Sequence, residues 1–351
     1  MKKLILLIAI IIIFVVAFLS SPYFKDFLDA LDENKVYKIE NIKTTDINTL
    51  EEFKFFGRGI VSYNNQKIVY TDFNNKILWE NQNKEFSNKV FVTDKYIFRQ
   101  TNNNIMLLDN NNQEFIIAEI EGNIINVSRE NGKTAIIVKG NGQSLYILNE
   151  NNEVVVDKKE FQDIITGISI SDKSEAYSLI TLTFDNGNPV NTLYYNLIDD
   201  VELWNSSISN EILLKIKVVN NNVIAVGTEN IYFYNNNGKL MWKNSIYNRI
   251  LDYEILQDRI NILFEKGEST ELISYNFEGK VIEIQAAPFG VHKLKIVDNK
   301  TLVYNNNSIY LLHSNKSDKI FEEFESFEDF LIEGNTIYIL FKNKIMSGQI
   351  K

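Results

Sequence analysis

The only two histidines in the chain are His292 in "GVHKLKIV" and His313 in "YLLHSN". An imidazole pair can hold a metal ion or move a proton. Neither stretch supplies a third ligand at a characteristic spacing, so each histidine is expected to be a lone polar residue on a structural strand. Carboxylates are densest in "FEEFESFEDF", Phe321 to Phe330. Two acids flanking a glycosidic bond are the usual apparatus of sugar hydrolysis. Here, however, the acids interleave with Phe321, Phe324, Phe327 and Phe330. That spacing of three predicts a strand-to-turn connector with its phenylalanines packed inward and a solvated acidic face. It does not match an EF-hand loop. "GRG", Gly57 to Gly59, is too short to cradle a phosphate, and the serines form no nucleophile elbow. "AAPFG", Ala286 to Gly290, reads as a connector, with a binding loop on one rim as the alternative. No catalytic, cofactor-binding or metal-binding residue is assigned, no cofactor is expected, and the binding residues stay unknown at this level.

The elements that would position any site come from the remaining composition. The chain has 351 residues, 45% hydrophobic and 12% aromatic, with 3 Pro and no Cys. It is long enough for a sizeable core. β-Branched and aromatic residues suit strands, and asparagine suits the turns between them, which biases the chain to all-β. A net charge of -10 disfavours nucleic acid and anionic lipid headgroups as partners. Without cysteine there is no disulfide, thiol chemistry or thiolate metal site.

Behind Lys2 and Lys3, Leu4 to Leu19 is an uninterrupted apolar run. At 1.5 Å per residue a helix there covers roughly 24 Å, enough for an anchor if Ser20 to Phe24 sit at the interface. The positive flank predicts a cytoplasmic N-terminus and an exported body. The alternative is a secreted protein with a cleaved signal, although Phe18 or Leu19 at the -3 position makes a poor cleavage site. Residues 1–21 are therefore expected as a single-pass transmembrane anchor or signal. Residues 22–35, with Phe24, Phe27, Leu28 and Leu31 at helical spacing, are expected as a stalk.

From Val36 onward strand-like runs alternate with Asn- or Gly-bearing turns. Aligning "FNNKILWENQ" with "NNNGKLMWKN" on Trp79 and Trp242 gives equivalent positions at Ile77, Phe115, Val154, Glu202, Leu240, Val281 and Ile320. Their intervals are 38, 39, 48, 38, 41 and 39 residues. That period belongs to four-stranded propeller blades. The long interval contains an extended hairpin with "DNGNP", Asp185 to Pro189, at its tip. The last unit supplies only three strands, and "VYKIENI", Val36 to Ile42, is an orphan. Closing the ring needs the orphan beside those three, because an open sheet would expose an unpaired edge. The expectation is an all-β propeller over residues 36–351 with eight four-stranded blades, the last completed by the N-terminal strand; seven blades is the alternative. The tryptophans are expected to cover the grooves between blades.

Gly238, Lys239, Leu240, Met241 and Trp242 carry the fullest form of a turn-to-Trp pattern that survives at Asn75, Lys76, Ile77, Leu78 and Trp79. In this the chain resembles the PQQ-like repeat propellers. With its N-terminal apolar run it looks like the membrane-anchored clostridial and Firmicutes propellers classed as domain of unknown function 5711. The resemblance implies an exported, anchored propeller and specifies blades rather than an activity. The vicinal cysteine pair typical of many quinoprotein dehydrogenases cannot exist here, and no acidic and Asn ligand set can be matched to their calcium site. BamB, another propeller of this type, shares the non-enzymatic character.

The function expected is non-enzymatic: an extracytoplasmic binding or scaffolding propeller, held to the membrane by its N-terminal helix, that recognises a protein or cell-wall component. The alternatives are a quinoprotein-like or carbohydrate-active enzyme with its site gathered at the axis, and a sensor or spacer module of an envelope complex.

Overall fold

The computed structural model describes residues 36–82, 89–173, 175–199, 201–313 and 316–351. The expected anchor and stalk lie outside them. Among the described residues no helix is long and apolar enough to cross a membrane.

Blade 5 shows how the sequence builds the unit. Leu213–Val219, Asn222–Gly227, Asn230–Tyr234 and Leu240–Ser245 form one antiparallel sheet in that order. The third strand is buried at every position, whereas the outermost alternates. A radial sheet is covered by a neighbour on each face, so its central strands need continuous apolar runs, while its inner and outer edge strands can meet water. The core therefore lies between blades. Val226, Ile231 and Phe233 of blade 5 pack against Ile260, Ile262 and Phe264 of blade 6.

Eight such sheets occur among the described residues. The equivalent positions read from the sequence all fall on outermost strands, such as Glu114–Glu119, Glu202–Ser209 and Lys316–Glu322. In the eighth sheet Ile39–Asp46 pairs antiparallel with Lys344–Ile350, and Lys38 and Lys351 exchange two backbone hydrogen bonds of 3.0 Å. The orphan strand thus closes the ring, beginning at Ile39 rather than Val36 and extending to Asp46. In the long hairpin, Ala176–Asp185 and Asn188–Leu197 are joined by Asn186 and Gly187, both at positive φ, and Pro189 lies within the strand rather than at the tip.

The turns before five of the outer strands repeat one piece of chemistry. Asp72, Asp109, Asn149, Asn235 and Asn276 each accept two backbone N–H groups at Oδ1, and the residue three further on sits at positive φ. Each tryptophan then spans a seam. Trp79 donates to the carbonyl of Asn110 at 2.9 Å, Trp204 to Asn236 at 3.1 Å and Trp242 to Phe277 at 2.8 Å, in every case on the turn of the next blade.

Crossovers from one blade to the next are clamped by buried amides. Asn191, fully buried, donates to the carbonyl of Glu211 and accepts the N–H of Leu213. Gln100 donates to the carbonyl of Gly122 and accepts from Ile124, and Gln143 accepts from Ile165. The inner edge strand of each of these blades starts with an N–H that no sheet partner can take, and the amide satisfies it. Replacing Asn191 with Ala is expected to cost about 1–3 kcal/mol by leaving two buried backbone groups unpaired. Urea denaturation against the parent checks this.

Candidate functional site

Strand direction sorts every loop onto one of two faces. The crossovers and the turns between second and third strands share one end of the blades, here the crossover face. The remaining turns share the other, the turn face. Ile39 pairs with Ile350, at the end of its strand, so the chain joins the ring on the turn face.

The candidate residues are dispersed by this geometry. His292 is exposed in the crossover preceding Lys293–Val297, while His313 ends Ser308–His313 at the turn face, so a blade's length separates them. His313 Nε2 lies 2.6 Å from Asp318 Oδ2, which also accepts the Tyr37 N–H at 2.6 Å. The Tyr37 ring meets His313 edge-on at 4.8 Å. This pair seats the incoming chain. "GRG" forms a turn on the turn face, with Gly57 donating to the carbonyl of Asp94.

The first strands of successive blades contact one another around the axis, where charged residues gather. Glu130 of blade 3 reaches past blade 4 to pair with Lys217 of blade 5 and accepts the N–H of Ile170 in blade 4 at 2.9 Å. Asp252 accepts the N–H of Leu294 at 2.8 Å, and Lys295 donates to the carbonyl of Phe330 at 2.5 Å. These groups satisfy the inner edges of neighbouring blades. Burial raises the Glu254 carboxyl above its ordinary range, against the pull of Lys215, Lys217 and Lys295. Among the described residues no three His, Asp or Glu side chains are placed to share a metal ion.

Several tyrosines at the seams titrate high. Burial raises Tyr63, Tyr146, Tyr234 and Tyr275. It pushes Tyr304 up to about 12, with the Asp329, Asp252 and Glu254 carboxylates acting in the same sense. Tyr232 is raised by burial and by the carboxylate of Glu211, to which its hydroxyl donates. A phenol whose folded pKa exceeds its unfolded value near 10 contributes no pH dependence below pH 10. Between the two values only the unfolded state has lost its proton, so stability falls by about 1.4 kcal/mol per pH unit for each such tyrosine. Alkaline unfolding is therefore expected to set in above pH 10, measured as a urea midpoint that falls as pH rises further.

The crossover face carries the departure from expectation. Phe321, Phe327 and Phe330 pack inward as the spacing predicts, but Phe324 is fully exposed at 105%. The loop is held: Asn307 Nδ2 donates to the carbonyls of Glu323 and Phe324 at 3.2 and 3.0 Å, and the N–H groups of Glu323 and Phe327 return to Asn307 and Asn306. On the preceding crossover Phe289, in the "AAPFG" stretch, is 68% exposed. The neighbouring Gly290 carbonyl accepts from Asn305 at 3.3 Å. One crossover earlier Tyr247 is 92% exposed. Three successive crossovers thus present an unpacked aromatic ring. Among the sequence signals, only the oddity of "AAPFG" pointed here; the regular phenylalanine spacing concealed Phe324.

A family model matches residues 32–348. The chain belongs to DUF5711, a family of unknown function. No curated protein matches it in sequence. Among solved structures the DUF5711 chain is similar to BamB from Moraxella catarrhalis, a PQQ-like propeller, with 10% identity, TM-score 0.52, and 89% of this chain and 99% of that one covered. It is also similar to the C-terminal WD40 domain of Sif2, with 11% identity, TM-score 0.59, and 90% and 99% covered. At such identities the likeness shows the fold alone.

Proposed function

We propose that this chain is a non-enzymatic binding or scaffolding propeller, tethered outside the cytoplasm by its N-terminal segment, which engages a protein or cell-envelope ligand with its crossover face. The observation that carries this reading is the placement of Tyr247, Phe289 and Phe324, exposed on three successive crossovers, on the face opposite to the one where the chain joins the ring. A tether reaching the turn face leaves the crossover face directed away from the membrane. Large exposed aromatics on loops with fixed backbones have a purpose in recognition, where rigid rings bury area at low entropic cost. The apolar run behind Lys2 and Lys3 supports the tether.

The absence of cysteine makes single-cysteine variants clean probes. Phe324→Cys is expected to react with a membrane-impermeant maleimide in intact cells, and a photocrosslinker at Tyr247 to yield a discrete adduct that one at Asn111, on the turn face, does not. Labelling only after lysis would sink the location. Equal adducts from both faces would sink the choice of surface.

A further inference from the structure

Phe289 and Phe324 are organised by a single element. The turn Asn305, Asn306, Asn307 lies between two strands of blade 7, with Asn305 holding the crossover that precedes the blade and Asn307 the crossover that follows it. The turn is itself fixed, because Asn305 Oδ1 accepts the N–H groups of Asn307 at 3.0 Å and Ser308 at 2.9 Å. Asn306 is exposed between the two crossovers, and its carbonyl accepts the N–H of Phe327 at 2.9 Å. Crossovers whose backbones are held in this way lose little main-chain freedom on meeting a partner.

The charges around this turn select the partner. Cations of the surrounding blades are already engaged: Lys344 with Glu325, Lys319 with Glu322, Lys295 with Asp329, Arg249 with Glu265 and Lys266 with Glu271. Glu323 and Glu328, on the Phe324 loop, and Glu268, on the adjoining hairpin of blade 6, have no such counter-ion among the described residues. Lys293 and Lys342 are the opposing cations, and the chain as a whole carries -10. Acids beside exposed rings repel anionic lipid headgroups and a second copy of the same surface, and attract a cation whose alkyl stem or guanidinium can lie on an aromatic face.

We propose that the Asn305–Asn307 turn with Phe289 and Phe324 is a docking surface for a lysine- or arginine-bearing protein segment that places an apolar anchor against the two rings. This rests on the reading of the chain as a binding propeller and names the partner's chemistry. The test uses the full chain in zwitterionic nanodiscs and, as probe, a displayed library of random 12-residue peptides, with empty nanodiscs subtracted. Enriched peptides are expected to combine Lys or Arg with an aliphatic or aromatic residue and to bind more weakly as salt rises. Phe289→Ser and Phe324→Ser should each weaken them at least about tenfold. Phe184→Ser, at an exposed ring on the same face of blade 4, should leave them unchanged, and thermal unfolding of all three variants should match the parent.

Enrichment of acidic peptides would overturn the partner chemistry. Peptides indifferent to both substitutions would overturn the surface while leaving the binding reading intact, and no enrichment would count against both. Sedimentation with anionic vesicles, or a dimer mass lost in the Phe289→Ser, Phe324→Ser double variant, would assign the rings to a lipid surface or a second copy instead.

Discussion

Removal of residues 1–47 is expected to abolish cooperative unfolding, whereas removal of residues 1–35 leaves it in place. The longer deletion takes Ile39–Asp46 from the eighth sheet and strips the edge of Lys344–Ile350 along its length. It also withdraws Ile39, which packs with Phe321, Ile337, Met346 and Ile350, and Ile47, which is buried against Ile60, Leu340 and Ile345 in the seam between the eighth and first blades. The loss is larger than one strand's contacts. A ring distributes its core among seams, so opening it exposes two blade faces and an unpaired edge at once. Tryptophan fluorescence in a urea titration gives the readout, since Trp79, Trp204 and Trp242 each sit across a seam. A broad transition for the 48–351 fragment, sharpened by a peptide spanning 36–47 added in trans, is the expected outcome. A sharp transition at the parent midpoint without the peptide would show that the closure contributes little.

Gly238→Ala is expected to destabilise the ring strongly. The residue holds φ +77°, where a Cβ costs about 1–2 kcal/mol, and that Cβ would stand 2.7 Å from Cγ of Trp204. The indole cannot retreat. It is stacked between Tyr195 and Tyr234 at 5.6 Å each and donates to the Asn236 carbonyl. Adding the displacement of a packed ring brings the loss to about 2–5 kcal/mol. Gly187→Ala is the control: φ is +85°, nothing lies within 4 Å of its Cβ, and only the backbone term of about 1–2 kcal/mol applies. The difference between the two denaturation midpoints isolates the contact. Equal losses would mean that the Trp204 seam yields freely.

These two glycines show how legibility divides between local and spatial information. Gly238 is readable because its turn precedes a Trp in a repeated string, and at its counterpart Gly279 a Cβ would stand 2.9 Å from the ring of Trp242. The Cβ contact itself joins Trp204 to a residue 34 positions later, and no spacing within one blade discloses it. The inward packing of Phe321, Phe327 and Phe330 was readable from a period of three. The outward turn of Phe324 was not, because it depends on Asn307 holding the carbonyls of Glu323 and Phe324.

The amino-acid order alone determined the repeat, the four-stranded unit, the seam role of the tryptophans and the strand that closes the ring. All of these follow from periodic burial and from the rule that sheet edges must be paired. The count of eight rather than seven blades was decided by the sheets themselves. Tertiary structure decided which loops share a face, and therefore that His292 and His313 are parted while Phe289 and Phe324 flank one asparagine turn. It also decided that the axial carboxylates of Glu130 and Asp252 satisfy backbone N–H groups of the next blade. The physical reason is that each blade is specified locally, but a surface gathers one loop from each of several blades. Their relative placement is set by seam packing and side chain-to-backbone hydrogen bonds between residues distant in the chain.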